Sequence, residues 1–194
     1  MTTPKEDLHN YLRVGREAIL WKLDGLSEYD VRRPLTPTGT NLLGLVKHLA
    51  LVESGYFGAT FGRPFPREEP WMTDETELNI DMYAKADESR EHIVGLYKEV
   101  WAHSDETIES LPLDAPGTVP WWAEDKRQVT LHRILSHVIA ETHRHAGHAD
   151  IVRELIDGFV GHRQGTDNMA THEESWWVSY REKVEQEARA AGAS

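Results

Sequence analysis

The sequence predicts an all-α protein, an antiparallel four-helix bundle with an additional short C-terminal helix, and three observations predict it. Four long segments repeat apolar residues at a 3.6-residue period. The alternating β-branched runs of strands are missing. The periodic segments are bounded by capping residues, Pro and Gly. With 194 residues the chain has the size of one domain with its own core, read as 1–194 with the core over about 3–158 and an extension over 159–194.

The first helix opens on Thr3, Pro4 and Glu6, a capping hydroxyl, a first-turn proline and a carboxylate three residues after the cap. Leu8, Tyr11, Leu12, Gly15, Ile19, Leu23 and Leu26 then share one face, and the helix ends before Pro34. A second helix starts at Thr40 or Asn41, turns Leu42, Leu45, Leu49, Val52 and Tyr56 inward, carries His48 at the edge of that stripe and stops near Gly62 and Pro64. Residues 63–80 hold three prolines and no period, which predicts a long loop anchored by Trp71.

A third helix is expected over 82–110, where Ala86, Ile93, Leu96, Tyr97, Val100, Thr107 and Leu111 recur at helical spacing. Residues 112–128 form another loop containing "VPWW". The longest pattern runs from Val129 to Asp157 and closes at Gly158, a left-handed cap; at 1.5 Å per residue it spans ~40 Å. A last short helix begins at Thr171, with Glu174 completing a second capping box and Trp176 and Trp177 on its first turn. The order of the helices within the bundle is left open.

Composition limits the function. The formal charge is −12, which repels phosphate backbones and anionic lipid surfaces, so neither nucleic acid nor membrane is an expected partner. No apolar run approaches a membrane span, and Lys5, Glu6 and Asp7 stand where a signal peptide needs apolar residues; a cytoplasmic location is expected. Cysteine is absent, which excludes disulfides, thiolate zinc sites and a cysteine nucleophile. Any thiol chemistry here needs a thiol brought in by a cosubstrate. Eleven His and seven Trp supply metal ligands, proton carriers and flat aromatic surfaces instead.

The chemistry concentrates on the fourth helix. With Glu141 at zero and ~100° per residue, His145 falls at about 40°, His148 at about −20° and His137 at about −40°. Ile134, Val138, Val152 and Ile156 fall between about 20° and 60°, so the polar stripe coincides with the core-facing stripe. Unpaired polar groups there would cost several kcal/mol, whereas two ligands at i and i+4 can converge on one cation. Glu141 and His145 therefore read as metal ligands, with His48 from the second helix as the third; a buried hydrogen-bonded pair is the alternative. Two imidazoles and one carboxylate suit zinc and other late first-row divalent ions, and three protein ligands leave a position open.

His137 and His148 read first as satisfied core histidines, and otherwise as partners of a ligand or as proton carriers. Asp150 and Arg153, near 180° and 120° on the same wheel, suit salt bridges or a pocket wall. Trp121 and Trp122 either roof the site or plug the bundle end. Glu88 and His92 sit among charged neighbours and read as a solvated face. "HEES" at 172–175 lacks the second His of a zinc-protease helix. Paired Glu-x-x-His helices, phosphate-cradling glycine patterns and a nucleophile elbow are all missing.

Four stretches, "LLGLVKHLALVE" at 42–53, "VPWW" at 119–122, "VTL" at 129–131 and "ETHRHAGHADIVRELIDG" at 141–158, resemble the DinB-like superfamily, and within it the mini-circle proteins and the mycothiol-dependent enzymes of actinobacteria. The resemblance implies a four-helix bundle with a divalent metal held by one residue of the second helix and two of the fourth, which are His48, Glu141 and His145 here. Many members have histidine where this chain has Glu141; the glutamate is similar to that of the mycothiol-dependent maleylpyruvate isomerase and favours a thiol-using branch. His143 stands where alanine is common and faces away from the metal.

The implied activity is that of a metal-dependent thiol S-transferase, conjugating mycothiol to small electrophiles through a metal-bound thiolate in a detoxifying reaction. The chain then supplies no nucleophile of its own. His148 would stand behind the ligands, and Asp150, Arg153 and Trp122 are the candidate contacts for the thiol cosubstrate. The competing readings are a mycothiol-dependent isomerase of the maleylpyruvate type, a non-catalytic metal-binding stress-response bundle and a metal-assisted hydrolase. A homodimer is the default assembly.

Overall fold

The computed structural model describes residues 2–67, 69–73 and 77–192. Six α-helices account for most of them: α1 (Pro4–Trp21), α2 (Leu42–Glu53), α3 (Pro70–Thr73), α4 (Arg90–Ser110), α5 (Leu131–Asp157) and α6 (Glu174–Gly192). The chain is all-α apart from one small ribbon, in which β1 (Pro116–Thr118) pairs antiparallel with β2 (Gln128–Thr130), Gly117 opposite Val129. The sequence predicts no strand there because three residues are too few to show an alternating period.

α1, α2, α4 and α5 form the bundle. α1 lies along α5, α2 lies along α4, and α2 also packs on α5, which settles the order that the periodicity leaves open. The helices begin where capping chemistry dictates. The Thr3 hydroxyl accepts from the Glu6 N–H while the Glu6 carboxylate accepts from the Thr3 N–H. Asn41, Ser89 and Thr130 cap α2, α4 and α5 through the N–H groups of Gly44, His92 and Arg133. Gly158 closes α5 at φ 75, a left-handed position that glycine takes without steric cost.

Several boundaries differ from the periodic reading. α1 stops at Trp21 rather than running toward Pro34, and the chain turns through Gly25 at φ 75; Leu23 and Val31 then enter the core from turns. α2 ends at Glu53 and continues as a π-helical turn over Ser54–Gly58 and a 3-10 turn over Ala59–Phe61. The expected third helix begins at Arg90, not at 82, because the Ser89 hydroxyl caps it and Ile80–Met82 form a separate 3-10 turn. Trp71 is buried as expected, on α3, with the Lys47 ammonium 4.6 Å from its ring centre. α6 begins at Glu174 instead of Thr171 and is not short, with 19 residues. The Thr171 hydroxyl accepts from the Glu173 N–H in the turn before it, and none of its residues is buried.

A largely buried ionic group ties three helices together. Arg16 of α1 donates through Nε to Glu53 of α2 at 3.0 Å and through a terminal nitrogen to Asp105 of α4 at 2.6 Å. Tyr97 donates to the same Glu53 at 3.1 Å. Burial alone would make the Arg16 guanidinium easier to deprotonate, but the two carboxylates outweigh it and hold it charged.

Candidate metal centre and cavity

α2 and α5 cross so that His48, Glu141 and His145 meet. One donor atom from each lies within 4.8 Å of the others. His145 Nε2 is 2.9 Å from Glu141 Oε1, and His48 Nε2 is 3.6 Å from the same oxygen. The two imidazoles approach edge to face, with ring centres 4.9 Å apart. A tetrahedral cation about 2 Å from each donor would separate the donors by roughly 3.4 Å, so the three atoms fit a divalent ion with small adjustments. They are the residues that helical spacing singles out, and they sit on the seam predicted from the coincidence of polar and apolar stripes.

Each imidazole is held from behind. His48 Nδ1 is 2.6 Å from Asp81 Oδ2, and His145 Nδ1 is 3.3 Å from His148 Nδ1. A second partner on the far ring nitrogen fixes both the tautomer and the ring plane, and it leaves the other nitrogen free for a cation. His148, read from the sequence first as a core histidine and otherwise as a partner of a candidate ligand, stands beside His145. Asp81 has no sequence signal, because it belongs to the aperiodic segment between α2 and α4. It is brought to His48 by contacts made elsewhere in that segment: the Asn41 amide donates to Met82 O at 3.0 Å, and Lys47 Nζ reaches Tyr83 O at 3.1 Å and Glu88 at 2.8 Å. Glu88 therefore pairs with a buried lysine and is not the solvated partner of His92.

Electrostatics follow the same contacts. Burial would lower the His48 imidazole, but the hydrogen bond and charge of Asp81, with help from Glu141, raise it above its ordinary value. Burial would raise the Glu141 carboxyl, and the two histidines outweigh that and lower it. Burial and the neighbouring His48 both lower His145, against the pull of Glu141. The hydrogen bond to His48 holds the Asp81 carboxyl below its usual range despite partial burial. Glu141 and Asp81 are thus anionic across the neutral range, which is the charge state a cation site needs.

His48 and Glu141 open into a cavity of about 680 Å3. Its walls are Leu51, Val52, Tyr56, Phe65, Met72 and Trp121, with His137 beside Glu141 on the α5 side. The π-helical turn after α2 carries Tyr56 toward the "VPWW" loop, where its ring meets Trp121, Trp122 and His137 at centre distances of 5.2, 5.9 and 4.8 Å. Trp121 rests on Gly55, where an added Cβ would come within 2.8 Å of the indole. Trp122 stands behind this wall and donates from Nε1 to the Tyr56 hydroxyl at 3.1 Å.

Asp150 and Arg153 lie elsewhere. Asp150 pairs with the buried Lys22 at 2.9 Å and faces a second cavity beside α6. Arg153 is buried, and its guanidinium bonds Asp157, Lys22 O and Asp24 O, tying the end of α5 to the turn after α1. His143 points away from the centre toward α1, with Nε2 2.9 Å from Tyr11 O.

The mycothiol-S-transferase family model matches residues 7–158, a span that runs from the first turns of α1 to the cap of α5 and contains the whole His48, Glu141 and His145 centre. No curated protein matches the chain.

Proposed function

The chain belongs to the mycothiol-S-transferase family, and from that premise we propose that it joins the sulfur of mycothiol to a small electrophile at a divalent cation held by His48, Glu141 and His145. The observation that carries this reading is the meeting of those three donors at the edge of an apolar cavity in a chain without cysteine. The nucleophilic sulfur then has to arrive on the cosubstrate.

A cation at these donors, with zinc the ion the ligand set suits, supplies Lewis acidity that favours the ionised thiol, a form making up only a few per cent of a free thiol of pKa near 8.5 at pH 7. The residues of this chain supply the rest. Asp81 and His148 hold the two imidazoles in place. Glu141 contributes one negative charge, so a dication with one thiolate leaves the centre formally neutral, the arrangement least costly beside apolar walls. Leu51, Phe65, Met72 and Trp121 exclude water and hold the electrophile next to the sulfur, where orientation replaces the entropy of a bimolecular encounter.

The test is to incubate the zinc-loaded chain with mycothiol and a panel of electrophiles and to look for the thioether by mass spectrometry. Thioether formation that stops when either thiol or metal is withheld is expected. Equal consumption of the electrophile without thiol would overturn the reading and favour a hydrolase.

A further inference from the structure

The transferase reading leaves His137, an imidazole on the cavity wall, without a task. His137 precedes Glu141 by one turn of α5, and both line the cavity. Its ring is clamped edge-on by Tyr56 at 4.8 Å and Trp122 at 5.3 Å, and Tyr56 is in turn fixed by the indole N–H of Trp122. Among the described residues no hydrogen bond engages either His137 nitrogen. The half-buried ring nevertheless keeps both nitrogens open to solvent, since neither is among the sealed polar atoms without partners. An imidazole that is oriented by packing yet uncommitted in its hydrogen bonds is placed to exchange a proton with whatever enters the cavity.

Resting on the transferase reading, we propose that His137 is the proton donor to the electrophile, and that the cavity serves electrophiles whose displaced electron pair ends on oxygen: epoxides and α,β-unsaturated carbonyls on an apolar or aromatic body. With an epoxide, the thiol first gives up its proton to solvent. The sulfur pair forms the S–C bond, the C–O bond breaks with its pair going to oxygen, and the His137 N–H proton moves to that oxygen. Solvent returns a proton to the imidazole, so thiol and epoxide become a β-hydroxy thioether with no oxidant or reductant. A halide leaving group needs no proton and therefore needs no His137. The apolar walls of Leu51, Val52, Phe65, Met72 and Trp121 select the body of the molecule.

The experiment compares styrene oxide with benzyl chloride, which share an aryl body, using the zinc-loaded chain and mycothiol. For His137→Gln, kcat on styrene oxide should fall about 100-fold, while KM, and turnover of benzyl chloride, change by less than about threefold. His137→Ala should regain epoxide turnover when imidazole is added. Zinc content and far-UV circular dichroism of both variants should match the parent chain, separating proton delivery from a structural role. Parallel loss on both substrates, or no loss on either, would overturn the assignment. A parent chain that conjugates benzyl chloride but not styrene oxide would overturn it and leave the transferase reading standing; one that conjugates neither in the presence of thiol would overturn both.

Discussion

Asp81 Oδ2 stands 2.6 Å from His48 Nδ1, and this contact joins the segment between α2 and α4 to the candidate metal centre. Asp81 fixes the imidazole with Nε2 turned toward Glu141, and a carboxylate behind a histidine also makes it a better ligand. Asp81→Asn should keep the fold and weaken zinc binding about 10- to 100-fold, as measured by competition with a chromophoric chelator. Unchanged affinity would mean that the ring is held by packing alone.

Gly44 makes that contact sterically attainable. A Cβ at this position would lie 1.9 Å from Met82 O, a backbone atom that cannot swing aside. Gly44→Ala, although favourable for an isolated helix, should therefore displace the 79–83 turn, cost about 1–3 kcal/mol in urea unfolding and loosen zinc binding together with stability. A stabilised variant would show that the turn docks without needing the gap.

The centre is expected to be dispensable for folding. The core runs the length of the bundle, through Leu45, Leu49 and Val100 between α2 and α4 and through Leu12, Leu135 and Val138 between α1 and α5, and these contacts need no cation. Chelation should abolish thiol conjugation and leave far-UV circular dichroism largely intact. Collapse of the helical signal would make the site structural.

Acid should weaken the fold through two carboxylates. Burial would raise Asp105, but His9 and Arg16 outweigh it and hold it below its ordinary value of 3.8; the hydrogen bonds from Arg153 do the same for Asp157. The unfolded chain then binds protons that the folded chain resists, so their stabilisation is complete above the ordinary value and is lost as pH falls through the lower folded-state values. The urea midpoint should drop steadily as pH falls from about 5 toward about 2, and the drop should be shallower in Asp105→Asn with Asp157→Asn. Equal slopes in the two proteins would assign the acid sensitivity to other groups.

What could be read in advance follows from periodicity. Glu141 and His145 announce themselves because a polar pair on an apolar helix face conflicts with the pattern around it, and His48 because it borders the stripe of its own helix. Asp81 and Phe65 lie in aperiodic chain whose path is set by the Asn41, Lys47 and Trp71 contacts, and spacing carries no information about those. The "VPWW" pair is visible as a candidate wall, but which indole faces the cavity depends on the π-helical turn at Ser54–Gly58, which aligns Gly55 under Trp121. Asp150 and Arg153 share a helix with Glu141 and His145, yet Lys22 and the turn after α1 claim them, a tertiary choice that a helical wheel does not contain.

Cobalt-substituted protein shows whether His48, Glu141 and His145 hold a divalent cation at which the cosubstrate sulfur arrives. Adding mycothiol to the cobalt-loaded chain should produce an intense sulfur-to-metal charge-transfer absorption that saturates at one thiol per metal and is lost in His48→Ala and Glu141→Ala, which should also fail to retain cobalt. A spectrum unchanged by mycothiol, or full cobalt retention in both variants, would contradict the account.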